Sequence, residues 1–368
     1  MKRFESLDAF RGICALIVVA RHLHIVGAFT EIAFFRNCDI LIEFFFVLSG
    51  FVLAHNYAYK EIKFIPYMTA RFFRIFPIHV FMLFILIALE CCKLLIHKFS
   101  GIEFDTLPFT GRTSPSEALP NLFLIQSWTP WTDSLSFNYP SWSLSVEFYI
   151  YILLYLTINV FRKLNISPIV WVSISIVSLW LLFSGNNALL KEQDIARGVS
   201  CFFGGAFIYS IFKALPDIKI STLVASTLES ICLALIVFFL AYQGESKNMI
   251  CTFLFFIAVF IFAYEKGVIS LYLKDKYIQH LGRISCSIYL THAAIILTIT
   301  MATYILQKNM NANFMPMIAG RRYLDFSSPL INNMIVLIIM LLVVTISTIT
   351  HNKIEVSFMK YKHRYLRK

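Results

Sequence analysis

Apolar residues along this chain cluster in long runs rather than alternating with polar ones, and the lengths of the runs indicate membrane-spanning helices. A helix needs about 20 residues to cross about 30 Å of hydrocarbon. Ten runs approach or exceed this length, at 7–28, 38–57, 75–97, 141–161, 168–184, 196–212, 220–242, 248–264, 281–306 and 329–350. The pattern predicts an all-α integral membrane protein of about ten transmembrane helices. We expect residues 1–368 to form a single membrane domain with no appended soluble domain.

Two connections between the runs are long. The first, residues 59–77, is basic and aromatic, and Pro66 and Pro77 are expected to interrupt helices there. The second, residues 98–140, holds five prolines and two tryptophans. Loops of this length in a compact protein are usually functional or disordered.

Composition agrees with a membrane protein, since 58% of the residues are hydrophobic, 14% are charged and the mean hydropathy is +0.73. The net charge of +11 could suggest a nucleic-acid partner. However, 20 of the 32 lysines and arginines fall in alternate segments that include both termini, and only 9 fall in the other segments. The positive-inside rule then places both termini in the cytoplasm, and the charge requires no nucleic acid.

The eight cysteines show no CxxC spacing, and we expect no metal site.

The first run is unusual because "RGICALIVVARHLH" holds four ionisable groups. Such groups inside a membrane usually face a protein interior or a water-filled cavity. Arg11 and His22 lie almost three helical turns apart, so they share one face at a separation of about 16 Å, and Asp8 joins that face. This predicts a charge pair at the cytoplasmic end and an imidazole deep in the membrane. Alternatively, Arg11 snorkels to the interface and His22 is a core histidine; Arg21 and His24 point elsewhere.

Two further segments carry candidate groups. In "EFFFVLSGFVL", residues 43–53, Ser49 and Gly50 interrupt an aromatic run, and small residues of this kind often serve close helix packing. In "TARFFRIFP", Arg71 and Arg74 are spaced to share one face at the start of a helix. Two guanidinium groups at that spacing could hold phosphate oxygens, or they could be ordinary positive-inside charge.

The segment "YPSWSLSVEFYIY", residues 139–151, predicts a helix entry with Ser141 or Ser143 as a cap. Glu147 then falls about one turn inside the span, and an intramembrane carboxylate is seldom present for stability alone. Later in the chain, "GRISCSIYLTH" ends with His292 about three turns into a span. Either His22 or His292 could act as a general base, because imidazole titrates near neutral pH.

Taken together, the order and spacing of these motifs resemble the membrane acyltransferase 3 family, whose members O-acylate surface polysaccharides and other exported or lipid-linked acceptors. The matching stretches are "LDAFRG" at 7–12 with Arg11 and His22, "FFFVLSGFVL" at 44–53, "RFFRIFP" at 71–77, "WSLSVEFYIY" at 142–151 and "SIYLTH" at 287–292. The resemblance covers nearly the whole chain, and ten spans is the family's usual number.

The resemblance implies transfer of an acyl group, most commonly acetyl, from cytoplasmic acyl-CoA to a hydroxyl presented on the outer side. Its implied catalytic residues are His22, as the base that activates the hydroxyl, and Glu147, which would orient a partner or the acceptor. Arg11, Arg71 and Arg74 would hold the CoA phosphates. Substrate contact or structural support would come from Asp8, Ser49, Trp142, Ser143 and His292. No metal is implied, and acyl-CoA would be the donor substrate.

The expected setting is the inner (plasma) membrane of a bacterium, where the partners would be membrane lipid and a glycan or lipid-linked glycan. O-antigen of lipopolysaccharide, capsule, another glycan and a small molecule all remain open as acceptors, and succinyl and longer acyl groups remain open as donors. A transporter or flippase for an anionic lipid-linked substrate is the alternative, because intramembrane ionisable groups also serve proton relays. The paired arginines beside an aromatic cytoplasmic segment favour the acyltransferase, since a CoA site needs them and a carrier does not.

Overall fold

A computed structural model describes residues 3–184, 193–215, 219–244 and 246–365, which are mostly helical. The helices, in chain order, are α1 Glu5–His22, α2 Ala33–Arg36, α3 Leu41–Tyr57, α4 Phe64–Ser100, α5 Ala118–Leu122, α6 Trp142–Phe161, α7 Ser167–Phe183, α8 Gln193–Ala214, α9 Thr222–Ala241, α10 Lys247–Ala263, α11 Val268–Tyr272, α12 Lys276–Met310, α13 Pro329–Thr350 and α14 Val356–Tyr365. A π-helical turn at His351–Glu355 joins the last two, and two short antiparallel strands, β1 Met317–Ile318 and β2 Arg321–Arg322, precede α13.

Seven helical stretches among the described residues are long and apolar enough to cross a membrane. They are Cys38–Tyr57, Phe64–Ser100, Tyr139–Leu164, Gln193–Ala214, Thr222–Ala241, Lys276–Met310 and Pro329–Tyr361. Two shorter apolar helices, Ser167–Leu182 and Lys247–Ala263, add to these. Helix α1 falls outside this set, and its sequence contains Glu5, Asp8, Arg11 and Arg21. The all-α membrane class is confirmed, whereas the count of ten spans and the positions of the termini remain predictions.

Helix α4 corrects one expectation. It begins at Phe64 and continues for 37 residues with Pro77 inside it. Pro66 falls in the first turn, where a missing N–H leaves no intrahelical bond unmade. Arg71 and Arg74 therefore lie in one continuous helix, and Pro77 does not interrupt that helix as expected. The same helix exposes Cys91 and Cys92, while five other cysteines are buried.

The chain divides into two compact units. One comprises Met1–Ala15, Asn37–Arg71 and Val146–Ser285, and the other comprises Leu16–Arg36, Phe72–Ser145 and Cys286–Lys368. We call them the first and second unit.

Close packing of α3 against α8 organises the first unit. A Cβ atom placed on Gly50 would collide with the backbone carbonyl of Phe202, and one placed on Gly205 would collide with the carbonyl of Val47. Small residues at such crossings let helix backbones approach closely. The packing interpretation of the Ser-Gly motif is thus confirmed for Gly50, and Ser49 is half-buried beside it.

A buried charged cluster ties α3, α8 and α10 together within the first unit. The Glu43 side chain, 4% exposed, accepts a hydrogen bond from Arg197 Nε at 3.1 Å. The hydroxyl of Thr252 donates to the other oxygen of that carboxylate, and Arg197 Nη1 lies 3.4 Å from Asp194 Oδ1. Each charge in this cluster has an opposite charge or a hydrogen-bond donor beside it.

The second unit contains the irregular connection between α4 and α6, and that connection is anchored to helices. Glu90 on α4, 3% exposed, accepts from the backbone N–H of Phe109 at 3.0 Å and from the Thr113 hydroxyl at 3.2 Å. Further along, the Ser145 hydroxyl donates to the Leu124 carbonyl at 2.6 Å, and Trp128 Nε1 donates to the Ser145 carbonyl at 2.9 Å. The bonds at Ser145 hold the part of the connection around Leu124 and Trp128 against the first turn of α6.

Candidate active site

Helix α1 ends at His22, six residues before the predicted end of the first span. Beyond it the backbone becomes extended, and Ile25 forms a parallel bridge with Leu324. The bridge is held by Val26 N–H donating to the Leu324 carbonyl at 3.0 Å and Leu324 N–H donating to the His24 carbonyl at 2.9 Å. His22 is therefore the last residue of its helix, and α1 ends earlier than the predicted span.

Three aromatic rings meet at His22 within the second unit. The His22 and His292 rings stack with their centroids 5.3 Å apart, and the Tyr139 ring lies 4.6 Å from His22 and 5.6 Å from His292. Helices α1 and α12 supply the histidines, and the turn Tyr139–Ser141 before α6 supplies the tyrosine. Two of the predicted site residues are thus neighbours.

The His292 side chain is fully buried, with 0% exposed. Its Nδ1 lies 3.3 Å from the carbonyl oxygen of Ile288, which can only accept, so Nδ1 carries the proton. Its Nε2 is buried and has no hydrogen-bond partner among the described residues. A buried polar atom left without a partner costs free energy and calls for an explanation in function or in an additional bound molecule. His292 lies about four and a half turns into α12, because that helix begins earlier than predicted.

A small cavity of about 60 Å³ opens beside His22. Its other lining residues include His24 and Arg322, which are polar, and Ile299 and Ile339, which are apolar. Arg322 is held by Asp105, whose carboxylate accepts from Nη2 at 2.5 Å and also from Nε. These hydrogen bonds from Arg322 hold the pKa of Asp105 below its usual value, and partial burial opposes the effect. The cavity offers space for a hydroxyl-bearing group next to an imidazole.

Trp142 and Ser143 begin α6, directly after the turn that carries Tyr139. Ser143 lies inside α6 and is not its cap: its hydroxyl donates to the Pro140 carbonyl at 3.2 Å and shares a hydrogen bond of 2.9 Å with the Tyr289 hydroxyl. The Tyr289 ring in turn lies 6.0 Å from the His292 ring. Trp142, 7% exposed, begins the helix, and its carbonyl accepts from Ser127 at 3.1 Å. Ser143 thus connects the turn that carries Tyr139 to the helix that carries His292.

Glu147 lies in α6, slightly more than one turn after its start, as predicted, and belongs to the first unit. Its side chain is half-buried. Among the described residues it has no hydrogen bond and no ion pair. A carboxylate in this setting is available to a group outside the described chain.

Arg71 occupies an aromatic setting in the first unit. Its Nη2 donates to the Tyr57 hydroxyl at 3.3 Å, and its guanidinium lies 5.7 Å from the Tyr57 ring centroid and 5.8 Å from that of Tyr151. Its Nε is buried and lacks a hydrogen-bond partner, and no carboxylate pairs with it in the part of the chain that the structure describes. A half-buried cation without an anion is a candidate for binding one, and guanidinium groups suit phosphate.

The remaining predicted residues are positioned as follows. Arg74, in the second unit, and Arg11, in the first, are half-buried on α4 and α1. Asp8 forms its ion pair with Arg3, at 2.6 Å, and not with Arg11 as expected. The Asp8 carboxylate therefore binds the residues that precede α1, and it does not form the expected charge pair with Arg11 along the helix.

Tyr139 was missed at the level of sequence. Tyr139 opens the segment 139–151, but no helical spacing connects it to His22, and only the fold brings the two residues together. Arg36 was also missed, because a single arginine between two apolar runs has no distinctive pattern. Both lie near His22 in the structure, Tyr139 through its ring and Arg36 through the backbone that follows α1.

Comparison with known sequences agrees with this architecture. The acyltransferase 3 family, described as an acyltransferase domain, matches residues 4–352. This chain belongs to that family.

Two relatives are similar over parts of the chain. Acyltransferase MdmB of Streptomyces mycarofaciens is 32% identical over 184 residues, which are 48% of this chain and 44% of the relative. Protein 2 in picA locus of Rhizobium radiobacter is 38% identical over 98 residues, which are 25% of this chain and 48% of the relative. The chain spans less than half the length of each of these relatives. No solved structure matches it significantly.

Proposed function

We propose that this membrane acyltransferase transfers an acyl group, most simply acetyl, from acyl-CoA to a hydroxyl of a surface polysaccharide or another exported glycan. The observation that carries the proposal is the cluster of His22, His292 and Tyr139, in which the His22 ring lines a cavity and Nε2 of His292 has no hydrogen-bond partner among the described residues. An acyl thioester is already activated, so the protein needs mainly a base and a way to position the two substrates.

In the proposed reaction, His22 accepts the proton of the acceptor hydroxyl as its oxygen attacks the thioester carbonyl. The carbon–sulfur bond then breaks, CoA leaves as a thiolate, and the proton held by His22 passes to that sulfur. His22 is chosen as the base because its half-buried ring lines the cavity. The rings of Tyr139 and His292 restrict its orientation. Glu147 would orient the acceptor, for which its unpaired carboxylate is suited.

The donor side of the proposal rests on arginine chemistry. Arg71, with Arg11 and Arg74, would hold the CoA phosphates, and the unpaired guanidinium of Arg71 among tyrosines supports this assignment. Along α1, the rise from Arg11 to His22 is about 16 Å. An extended pantetheine arm is suited to cover such a distance, leaving the nucleotide near Arg11 and the thioester near His22.

We further propose that the protein lies in the inner membrane of a bacterium with both termini in the cytoplasm, so that donor and acceptor arrive from opposite sides. The positive-inside distribution of lysine and arginine supports this orientation. Externally added acyl-CoA should then support transfer to a lumenal glycan in sealed inside-out vesicles and fail to do so in right-side-out vesicles. Equal activity in both would contradict the two-sided arrangement.

The deciding experiment combines two measurements. Mass spectrometry of surface glycans should show an acyl group that is lost when the gene is deleted. The acyl group should stay absent when the deleted strain is complemented with the His22→Ala variant. Purified protein with acetyl-CoA and the glycan identified in this way should release free thiol. Loss of a glycan's export instead of its acylation, with no thiol release, would favour the transporter alternative.

A further inference from the structure

We infer that Arg36 is a positioning residue. Its guanidinium caps the carboxyl end of α1 and thereby fixes His22 against His292 and Tyr139. The inference rests on the proposed role of His22. It concerns a residue that makes no contact with the cavity and that the sequence motifs do not include.

Arg36 ends the short helix α2 and reaches back to the end of α1. Its guanidinium donates to four backbone carbonyls at 2.6–3.4 Å, those of Ala20, Arg21, Leu23 and Thr30. It also lies 2.9 Å from His24 Nδ1 and 3.1 Å from a carboxylate oxygen of Glu31. The side chain is 18% exposed, so most of these bonds are sheltered from water.

Only arginine can make this set of bonds. A guanidinium has five N–H groups in a rigid plane, and here Nε, Nη1 and Nη2 all donate, whereas a lysine ammonium offers three donors from one atom. Three of the carbonyls, those of Ala20, Arg21 and Leu23, surround His22 in sequence. The carbonyls of Ala20 and Arg21 lie in the last turn of α1, where carbonyls lack the usual helical partner four residues on, and the carbonyl of Leu23 directly follows the helix. The helix dipole also favours a cation at this end.

The position of His22 depends on this closure because it is the last residue of α1. A helix end without caps frays, and fraying here would turn the His22 ring away from its neighbours. Other bonds hold the chain beyond this point, including Asn332 Nδ2 to the Val26 carbonyl at 2.8 Å and Phe29 N–H to Asn333 Oδ1 at 2.8 Å. Loss of the Arg36 bonds should therefore loosen the end of the helix while the following loop stays attached.

The test compares Arg36→Gln and Arg36→Lys with Arg112→Gln in purified protein at matched folded amounts. Arg112 is the matched control, because it forms an exposed ion pair with Asp133 at 2.9 Å in the same unit. A displacement of about 1 Å at a catalytic group can cost about 10²-fold in rate. We expect kcat to fall by about that factor in Arg36→Gln and less in Arg36→Lys, with KM for acyl-CoA unchanged, and Arg112→Gln to match the wild type.

A second readout does not require activity. Modification of His22 by diethyl pyrocarbonate, located by mass spectrometry, should be faster in Arg36→Gln than in the wild type and in Arg112→Gln. If wild-type protein proves inactive with acyl-CoA, the proposed function fails while this readout still tests Arg36. An unchanged kcat together with an unchanged His22 modification rate would overturn the inference. Loss of the folded protein in both Arg36 variants would do so as well, by making Arg36 a determinant of stability.

Discussion

Two buried polar clusters in this protein are built differently. In the first unit, Glu43 and Arg197 pair directly, and Asp194 and Thr252 complete the bonding of both. In the second unit, the rings of His22 and His292 stack beside a cavity, and Nε2 of His292 has no partner in the described chain. A fully bonded cluster can serve the architecture, whereas an incompletely bonded one costs stability and is expected where a substrate completes the set.

Two arginines of the first unit show the same contrast. Arg197 contacts two carboxylates, while Arg71 contacts tyrosines and no carboxylate among the described residues. Both side chains belong to helices long enough to cross the membrane. Pairing, rather than burial, therefore separates the arginine that holds helices together from the one we assign to the donor.

The strongest challenge to this contrast is His22→Ala. General-base catalysis contributes about 10²- to 10⁴-fold, so we expect acyl transfer to fall by that range while the protein still inserts and folds. Glycan acylation measured by mass spectrometry at equal protein levels checks this. The control is His97→Gln, since within the described chain the His97 side chain bonds only to the Ile102 carbonyl, at 3.1 Å, near the end of α4. Near-normal acylation in His22→Ala would remove the basis of the proposed mechanism.

The bonded cluster should respond in stability rather than chemistry. Arg197→Met leaves Glu43 buried without its cation, and breaking a buried pair costs about 3–5 kcal/mol. In detergent, the Arg197→Met variant should therefore unfold at a lower temperature than the wild type and be recovered in smaller amounts. The double variant Glu43→Met with Arg197→Met should regain much of the loss, because no isolated charge remains. A single variant as stable as the wild type would show that the pair contributes little.

Arg71→Gln should weaken donor binding. A hydrogen bond to a charged group contributes about 1.5–3 kcal/mol, which corresponds to roughly a tenfold to hundredfold loss of acyl-CoA affinity. The difference from wild type should shrink at high salt, where ion pairing is screened. Titration with a non-hydrolysable acyl-CoA measures it, and Lys63→Gln, an exposed change earlier in the same segment, serves as the control. Equal affinity in Arg71→Gln and Lys63→Gln would exclude Arg71 from the donor site.

Glu147→Gln should be milder. The amide keeps the shape of the side chain but cannot carry its charge, and loss of one charge-assisted contact to the acceptor lowers turnover by about tenfold. Steady-state kinetics at fixed acyl-CoA should show this loss, with protein recovery close to that of the wild type. If the variant acylates normally, the half-buried carboxylate is not part of the reaction.

The smallest effect concerns Asp105, whose pKa is lowered by the hydrogen bonds from Arg322. A carboxyl group with a depressed pKa stabilises the fold above its unfolded pKa, near 4, and loses that contribution as pH falls through the folded pKa. The pair is partly exposed, so its contribution should be about 1 kcal/mol or less. Thermal unfolding of Asp105→Asn should thus differ slightly from wild type at pH 6, and the difference should shrink progressively as the pH falls below about 4. A difference that does not shrink as the pH falls would have another cause.

The sequence by itself determined the class of this protein. Inside a membrane the backbone N–H and C=O groups of a long apolar run have no water to bond. A helix satisfies these groups with hydrogen bonds inside the same segment, so such runs indicate membrane helices. The order of five motifs along the chain, from "LDAFRG" at 7–12 to "SIYLTH" at 287–292, indicated the family by resemblance, and the family match over residues 4–352 confirmed it. The Ser-Gly motif likewise indicated close packing, which Gly50 shows.

Tertiary structure alone decided which distant residues meet. Tyr139 and His292 reach His22 through separate segments, and no periodicity relates them. Tertiary structure also decided where helices end. Pro77 stays inside α4, whereas α1 stops at His22, although the apolar run continues beyond it. At that end, Arg36 bonds to the backbone carbonyls of Arg21 and Leu23. The hydrophobicity of a segment predicts whether it can form a membrane helix, because that depends on the segment's own residues. Helix caps, ring contacts and unpaired nitrogens depend on residues distant in sequence, which come together only in the folded protein.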